Sequence, residues 1–184
     1  MTPFYYFEEI SHGKSNKLLL SQAQASQIAG VKSALKSAAD VNAVEVQTGE
    51  TALHLAVKTN NLAIIELLLQ HKARLDVQDK TQGWTPLMLA TELNHQRAVL
   101  LLVGQNECGL EKRDVKGRNL INLALEHGKE KVAQFFLERG VDVQGALQWA
   151  IENDQKNQIE WCLSQGAILD FLLSTGFSPL VRAI

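Results

Sequence analysis

The sequence is poor in the residues that staple, metallate or membrane-anchor a protein. Its 184 residues include two cysteines, Cys108 and Cys162, far apart and without clustered histidines. That excludes a disulfide framework and a zinc site, and it suits a reducing compartment. No apolar run reaches the roughly 18 residues a membrane span needs, and the longest, near residues 67–69 and 99–103, sit inside helical patterns. Charge of one sign is also missing. Eighteen basic against 20 acidic residues leave a formal net charge of −2, too little field for general nucleic-acid binding. The opening stretch Phe4-Tyr5-Tyr6-Phe7-Glu8-Glu9 lacks the basic start and apolar middle of a secretory leader. Motifs of catalysis are lacking too: no G-x-S-x-G, glycine-rich phosphate loop or H-E-x-x-H occurs. A folded, cytosolic, cofactor-free protein is expected, since 46% apolar and 21% charged residues are ordinary globular values.

What the sequence has is repetition. Residues 49–70, GETALHLAVKTNNLAIIELLLQ, read as a tight turn, a short helix, a break at Asn60-Asn61 and a second, more apolar helix. Leu53, Leu55 and Ala56 face inward from the first helix. Leu62, Ile65, Leu68 and Leu69 recur at i, i+3, i+6 and i+7 in the second. Neither helix can bury its apolar face alone. Thr51 returns as Thr85 and Asn119, each 34 residues on, and such a period marks a stacked repeat array. The signature stretches are Thr51-Ala-Leu-His-Leu-Ala56, Thr85-Pro-Leu-Met-Leu-Ala90 and Asn119-Leu-Ile-Asn-Leu-Ala124. On these residues the chain resembles the ankyrin-repeat family, with its T-P-L-H-x-A signature. The resemblance implies an all-α solenoid of stacked antiparallel helix pairs with short β-hairpin-like fingers.

Taken in order, residues 1–16 show no periodicity and are either a partly ordered tail or a cap in which Phe4, Tyr5, Tyr6 and Phe7 cover the open end. The repeat domain is expected over 17–184, in units near 17–49, 50–83, 84–117, 118–144 and 145–176, with a partial sixth at 177–184. The first unit is more polar (Ser21, Gln22, Gln24, Gln27), as an end repeat facing water should be. In the fifth, Ala146-Leu-Gln-Trp-Ala150 matches Ala52-Leu-His-Leu-Ala56, so Gly145 stands where Thr51 stood, yet it lies only 26 residues beyond Asn119. The missing residues are those of the finger, while two helices, over 146–153 and 157–165, remain. A bend or notch is expected there. The sixth unit breaks off inside its first helix, and is read either as a half-helix cap or as the edge of a longer protein.

Catalysis is not expected. Cys108 with His95 or His127 can be paired on paper, but Cys108 closes a helix exit and His95 holds a helix-to-helix position. His54, three residues after Thr51, ties turn to helix. What remains is surface. In the family, fingers and first helices form one concave face to which a protein partner binds. Carried over residue by residue, that face holds Glu50, Trp84 and Arg118 beside the turn glycines, then Lys58-Thr59, Glu92-Leu93, Glu126-His127 and Glu152 at the first-helix ends. Trp84 and Leu93 are candidate anchors, or else they pack locally. The carboxylates Glu92, Glu126 and Glu152 select a basic segment or are simply a solvated row. Phe171, Leu172 and Leu173 form a second contact patch or a seam to further repeats. The resemblance thus implies a non-catalytic protein-interaction module, monomeric by default, binding neither nucleic acid nor membrane. The alternative is the targeting domain of a larger enzyme, or of a secreted bacterial effector in the host cytosol, whose catalytic region lies beyond residue 184.

Overall fold

In the computed structural model, residues 4–105 and 108–169 are described, with side chains from residue 13 onward. Ten helices and no paired strand are found among them: α1 Phe4–Gln24, α2 Ile28–Lys36, α3 Ala52–Lys58, α4 Leu62–Gln70, α5 Pro86–Glu92, α6 Gln96–Val103, α7 Leu120–Glu126, α8 Glu130–Glu138, α9 Val143–Glu152 and α10 Lys156–Ser164. The fold is all-α, built from stacked helix pairs. The chain divides into two compact units, Met1–Val115 and Lys116–Ile184. In the first, α1 packs on α2, α3 on α4 and α5 on α6, with α1, α3 and α5 in one row and α2, α4 and α6 in another. In the second, α7 packs on α8 and α9 on α10, and α7 lies beside α9.

Helices α3, α5 and α7 are each started by their own sequence. Thr51 is extended, and its hydroxyl accepts from the His54 amide while the His54 ring accepts from the Thr51 amide. Thr85 accepts from the Met88 amide, and Pro86 follows at the first helical position, where no amide is needed. Asn119 accepts from the amides of Ile121 and Asn122. Small residues then let the rows close: Ala56, Ala90, Ala124 and Ala150 are all fully buried. Leu53, Ile64, Ile65 and Leu68 fill the space between α3 and α4 without exposure, each worth about 1.5–3 kcal/mol of apolar burial.

The repeat is written a second time in the backbone. Ser26, Asn60, Asn94, Gly128 and Asp154 leave the first helices with positive φ. Ala38, Lys72, Gly140 and Gly166 do the same after α2, α4, α8 and α10. A left-handed residue turns the chain back and lets the next amide reach a late helix carbonyl: Asn61 N donates to Ala56 O, and Ala73 N to Leu68 O.

Two differences from the sequence-based reading have physical causes. The helix expected over 146–153 begins at Val143 and ends at Glu152. Gly145 supplies no hydroxyl to start a helix, so the chain coming off Asp142 winds directly into α9 with no side-chain cap and no intervening finger. Residues 4–16, expected as a tail or cap, are the first part of the continuous helix α1. Ser15 and Asn16 tie α1 to the exit of α2, through Ser15 Oγ donating to Ser37 O and Asp40 N donating to Asn16 Oδ1. The side chains of Phe4–Phe7, the end of the α6 exit at 106–107 and the sixth unit at 177–184 lie outside the described residues.

Ala38 and Lys72 carry side chains in a conformation that costs non-glycine residues about 1 kcal/mol, at φ values of 58° and 61°. Ala38→Gly and Lys72→Gly should each raise the urea midpoint by an amount equivalent to up to about 1 kcal/mol. Gly140→Ala, at φ 87°, should lower it comparably. Equal midpoints in all three would contradict this reading of the exits.

Candidate functional site

The fingers are short antiparallel turns. In the first, Val44 bridges Thr51 and Glu45 N donates to Glu50 O. In the second, Asp79 N donates to Trp84 O, and Asp79 Oδ1 gathers the amides of Thr81, Gln82 and Gly83 at 2.7–3.2 Å together with the Thr81 hydroxyl. That leaves the finger one structure rather than many. Gln78 clamps its base, donating to Gly83 O and to Arg113 O.

The residues beside the turn glycines differ sharply in availability. Glu50 is buried and paired with the Lys58 ammonium. Arg118 is buried and paired with Glu126. These two charges link a finger to the far end of the helix that follows it. Trp84 is half-buried, its carbonyl accepting from His54 Nε2 at 3.0 Å and its indole N–H lying 3.4 Å from Asp114 Oδ2. At the helix ends of the first unit, Lys58 and Thr59 are exposed, and the Thr59 hydroxyl is spent on the carbonyls of Leu55 and Ala56. Glu92 is half-buried, whereas Leu93 caps α5 with 41% of its surface exposed. In the second unit, Glu126, His127 and Glu152 are exposed, and Gln148 Nε2 donates to Glu152 Oε1. Phe171, Leu172 and Leu173 lie outside the described residues.

Two buried polar side chains hold neighbouring helix pairs together. His54 takes the Thr51 amide on Nδ1, which places its ring proton on Nε2 for the Trp84 carbonyl. Burial lowers the His54 pKa below its ordinary 6.5, opposed by the Trp84 carbonyl and by Asp79 and Glu50. In the fourth repeat Asn122 performs the same task without titrating: Oδ1 accepts from Asn119 N, and Nδ2 donates to Ala146 O and to Gln158 Oε1, both at 3.0 Å. His95, also read as a helix-to-helix residue, places Nδ1 3.0 Å from Val57 O. Cys162 is buried and its thiol is pushed up to about 11 by burial, which leaves almost no thiolate at neutral pH.

The sequence reading passed over Trp149. It occupies the place of the buried Leu55, but its indole donates to Lys116 O at 2.7 Å. The signal was an indole, with its one donor, in a position where Leu55, Leu89 and Leu123 are purely aliphatic.

A family model described as ankyrin repeats (3 copies) matches residues 19–114 and 80–145. The chain belongs to the ankyrin-repeat family. It is 29% identical over 119 residues to rabankyrin-5 of Mus musculus, covering 64% of this chain and 10% of that protein. To the ankyrin repeat and KH domain-containing protein mask-1 of Caenorhabditis elegans it is 27% identical over 173 residues, 89% of this chain and 6% of that one. A shorter match, 47% over 62 residues, is to potassium channel AKT1 of Oryza sativa subsp. indica, 34% of this chain and 6% of the channel. The chain therefore spans about a tenth or less of these relatives. Repeats of this family are generally non-catalytic protein–protein interaction modules.

The His54 network has a pH signature. Between the lowered pKa and 6.5 the unfolded chain holds more protons than the fold, so stability rises with pH there. The contribution is complete above 6.5 and is lost as pH falls through the folded-state pKa. Denaturant unfolding from pH 7.5 to 5 should show this loss, and His54→Asn, which mimics Asn122, should flatten it. In the fourth repeat, Asn122→Leu should cost about 1–3 kcal/mol, because Gln158 and the Asn119 amide lose a buried partner.

Proposed function

We propose that this chain is a non-catalytic interaction module that holds a protein partner on its finger and first-helix face, as a monomer in the cytosol or a host cytosol. The observation that carries the reading is the pairing of Trp84 and Leu93 at the two ends of α5. A half-buried indole is fixed by its finger, and an exposed leucine stands on a helix cap where neighbouring positions carry polar residues. Rigid apolar groups ringed by polar ones are where interface energy concentrates. Asp79 and Gln78 hold the second finger in one conformation before any partner arrives, so little ordering entropy is lost on binding. Lys58 and Thr59 would border this contact, with Glu92 at its edge. In the second unit Glu126, His127 and Glu152 offer a separate polar surface suited to a basic segment. Glu50 and Arg118 contribute through the ion pairs that set finger to helix.

A second reading has its own support. The relatives are about ten times longer than the matched stretch or more, so the repeats can serve as the targeting part of a larger protein, enzyme or effector, with the residues around Phe171 as a seam. An antibody to this chain that detects a far larger polypeptide in the source cell would favour it.

The direct test is affinity capture from cytosol with wild type beside a Trp84→Ala/Leu93→Glu double variant whose thermal melt matches. A partner held by wild type and released at least tenfold by the variant supports the first-unit face. Equal retention rejects it.

A further inference from the structure

Successive fingers are joined by one recurring hydrogen bond. The carbonyl just before the turn glycine accepts an amide from the next finger: Thr48 O from Lys80 N at 2.8 Å, and Gln82 O from Val115 N at 2.9 Å. The next carbonyl in the series belongs to Lys116, before Gly117 and 34 residues after Gln82. No finger intervenes between α8 and α9, because α9 starts directly after Asp142. Lys116 O instead accepts from Trp149 Nε1 at 2.7 Å, and the indole lies against the same turn: a Cβ on Gly117 would stand 3.4 Å from Trp149 Cδ1.

We infer that Trp149 is a latch that replaces the absent finger, its indole N–H taking the backbone bond the finger's amide would have made. Three observations converge on it. The acceptor is the one the register requires. The donor occupies the place of Leu55, Leu89 and Leu123, which are buried aliphatic side chains with no donor to offer. And α9 differs from α3, α5 and α7 at its start, having no side-chain cap where Thr51, Thr85 and Asn119 each cap theirs. An indole is the side chain that combines a bulk sufficient to lie over the turn with a single donor at its far end. The entry of α9 is held separately, by Asn119 Nδ2 donating to Asp142 O at 2.7 Å. Trp149 fastens the other side of the helix to the turn at Lys116-Gly117.

The test needs no partner and uses the whole chain. Hydrogen exchange of the ¹⁵N-labelled indoles should show Trp149 Nε1–H protected at least tenfold relative to that of Trp161, whose indole nitrogen has no hydrogen-bond partner among the described residues. Trp149→Phe keeps most of the ring and removes the donor. It should raise amide exchange through α9 on the order of fivefold, the loss of one ordinary hydrogen bond, and more than Trp161→Phe does. An indole at Trp149 that exchanges as fast as that of Trp161 overturns the inference. So does a protected indole whose Trp149→Phe variant exchanges like wild type, because the bond then tethers nothing. Should Trp149→Phe fail to fold, the wild-type indole measurement still decides.

Discussion

Three of the helices that open a repeat are too short to exist by themselves. α3, α5 and α7 have seven residues each, well under the roughly 12–15 at which an isolated helix becomes even marginal in water. Every one depends on a cap at its start, a left-handed residue at its exit and an apolar face closed by its neighbours. This constraint explains why the caps are so regular, why small residues recur at Ala56, Ala90, Ala124 and Ala150, and why buried polar side chains such as His54 and Asn122 are tolerated. Each of those side chains satisfies the amide of its own cap residue and, with its other end, a carbonyl of the next repeat.

Much of this was legible in the sequence because a period multiplies weak local signals. One Thr-x-x-His is a modest hint, but three aligned copies with matched alanines fix the register, which puts Leu53 and Leu55 in the core. In α4 the expected Leu62 and Leu69 are half-buried and Ile64 is fully buried. The limits of legibility fell where the period fails. At Gly145 the alignment located the loss of a finger correctly, yet nothing in the pattern told that the helix would start three residues early, since that depends on the absence of a hydroxyl to stop it. α1 was obscured for the opposite reason: residues 4–16 carry no copy elsewhere in the chain, and their helix is an extension of a repeat rather than a repeat.

Charged candidates were harder to read than apolar ones. Glu50 and Arg118 hold equivalent positions and look like surface side chains by type, but each is drawn inward by a partner at the end of the following helix, Lys58 and Glu126. A buried charge with a fixed counter-charge favours one geometry over others, which is a role in precision rather than in contact. The exposed neighbours Lys58 and Glu126 are consequently tied to the scaffold at one end and open to solvent at the other. Leu93 has no such tether, and its exposure follows from its place as the cap of a seven-residue helix.

The finger closes on itself, with Val44 bridging Thr51 and Glu45 bonding Glu50, so the two points at which it joins the repeat are neighbours in space. A segment with adjoining ends can be excised without moving what it connects. The winding of residues 143–145 into the start of α9 spans the small gap that remains, at about 1.5 Å of rise per residue. The helix pair is therefore the unit that carries the packing, and the finger is an insert that the junction before α9 does without. A finger can accordingly be missing from one repeat while the helix pairs on either side of the junction, α7–α8 and α9–α10, keep their own packing.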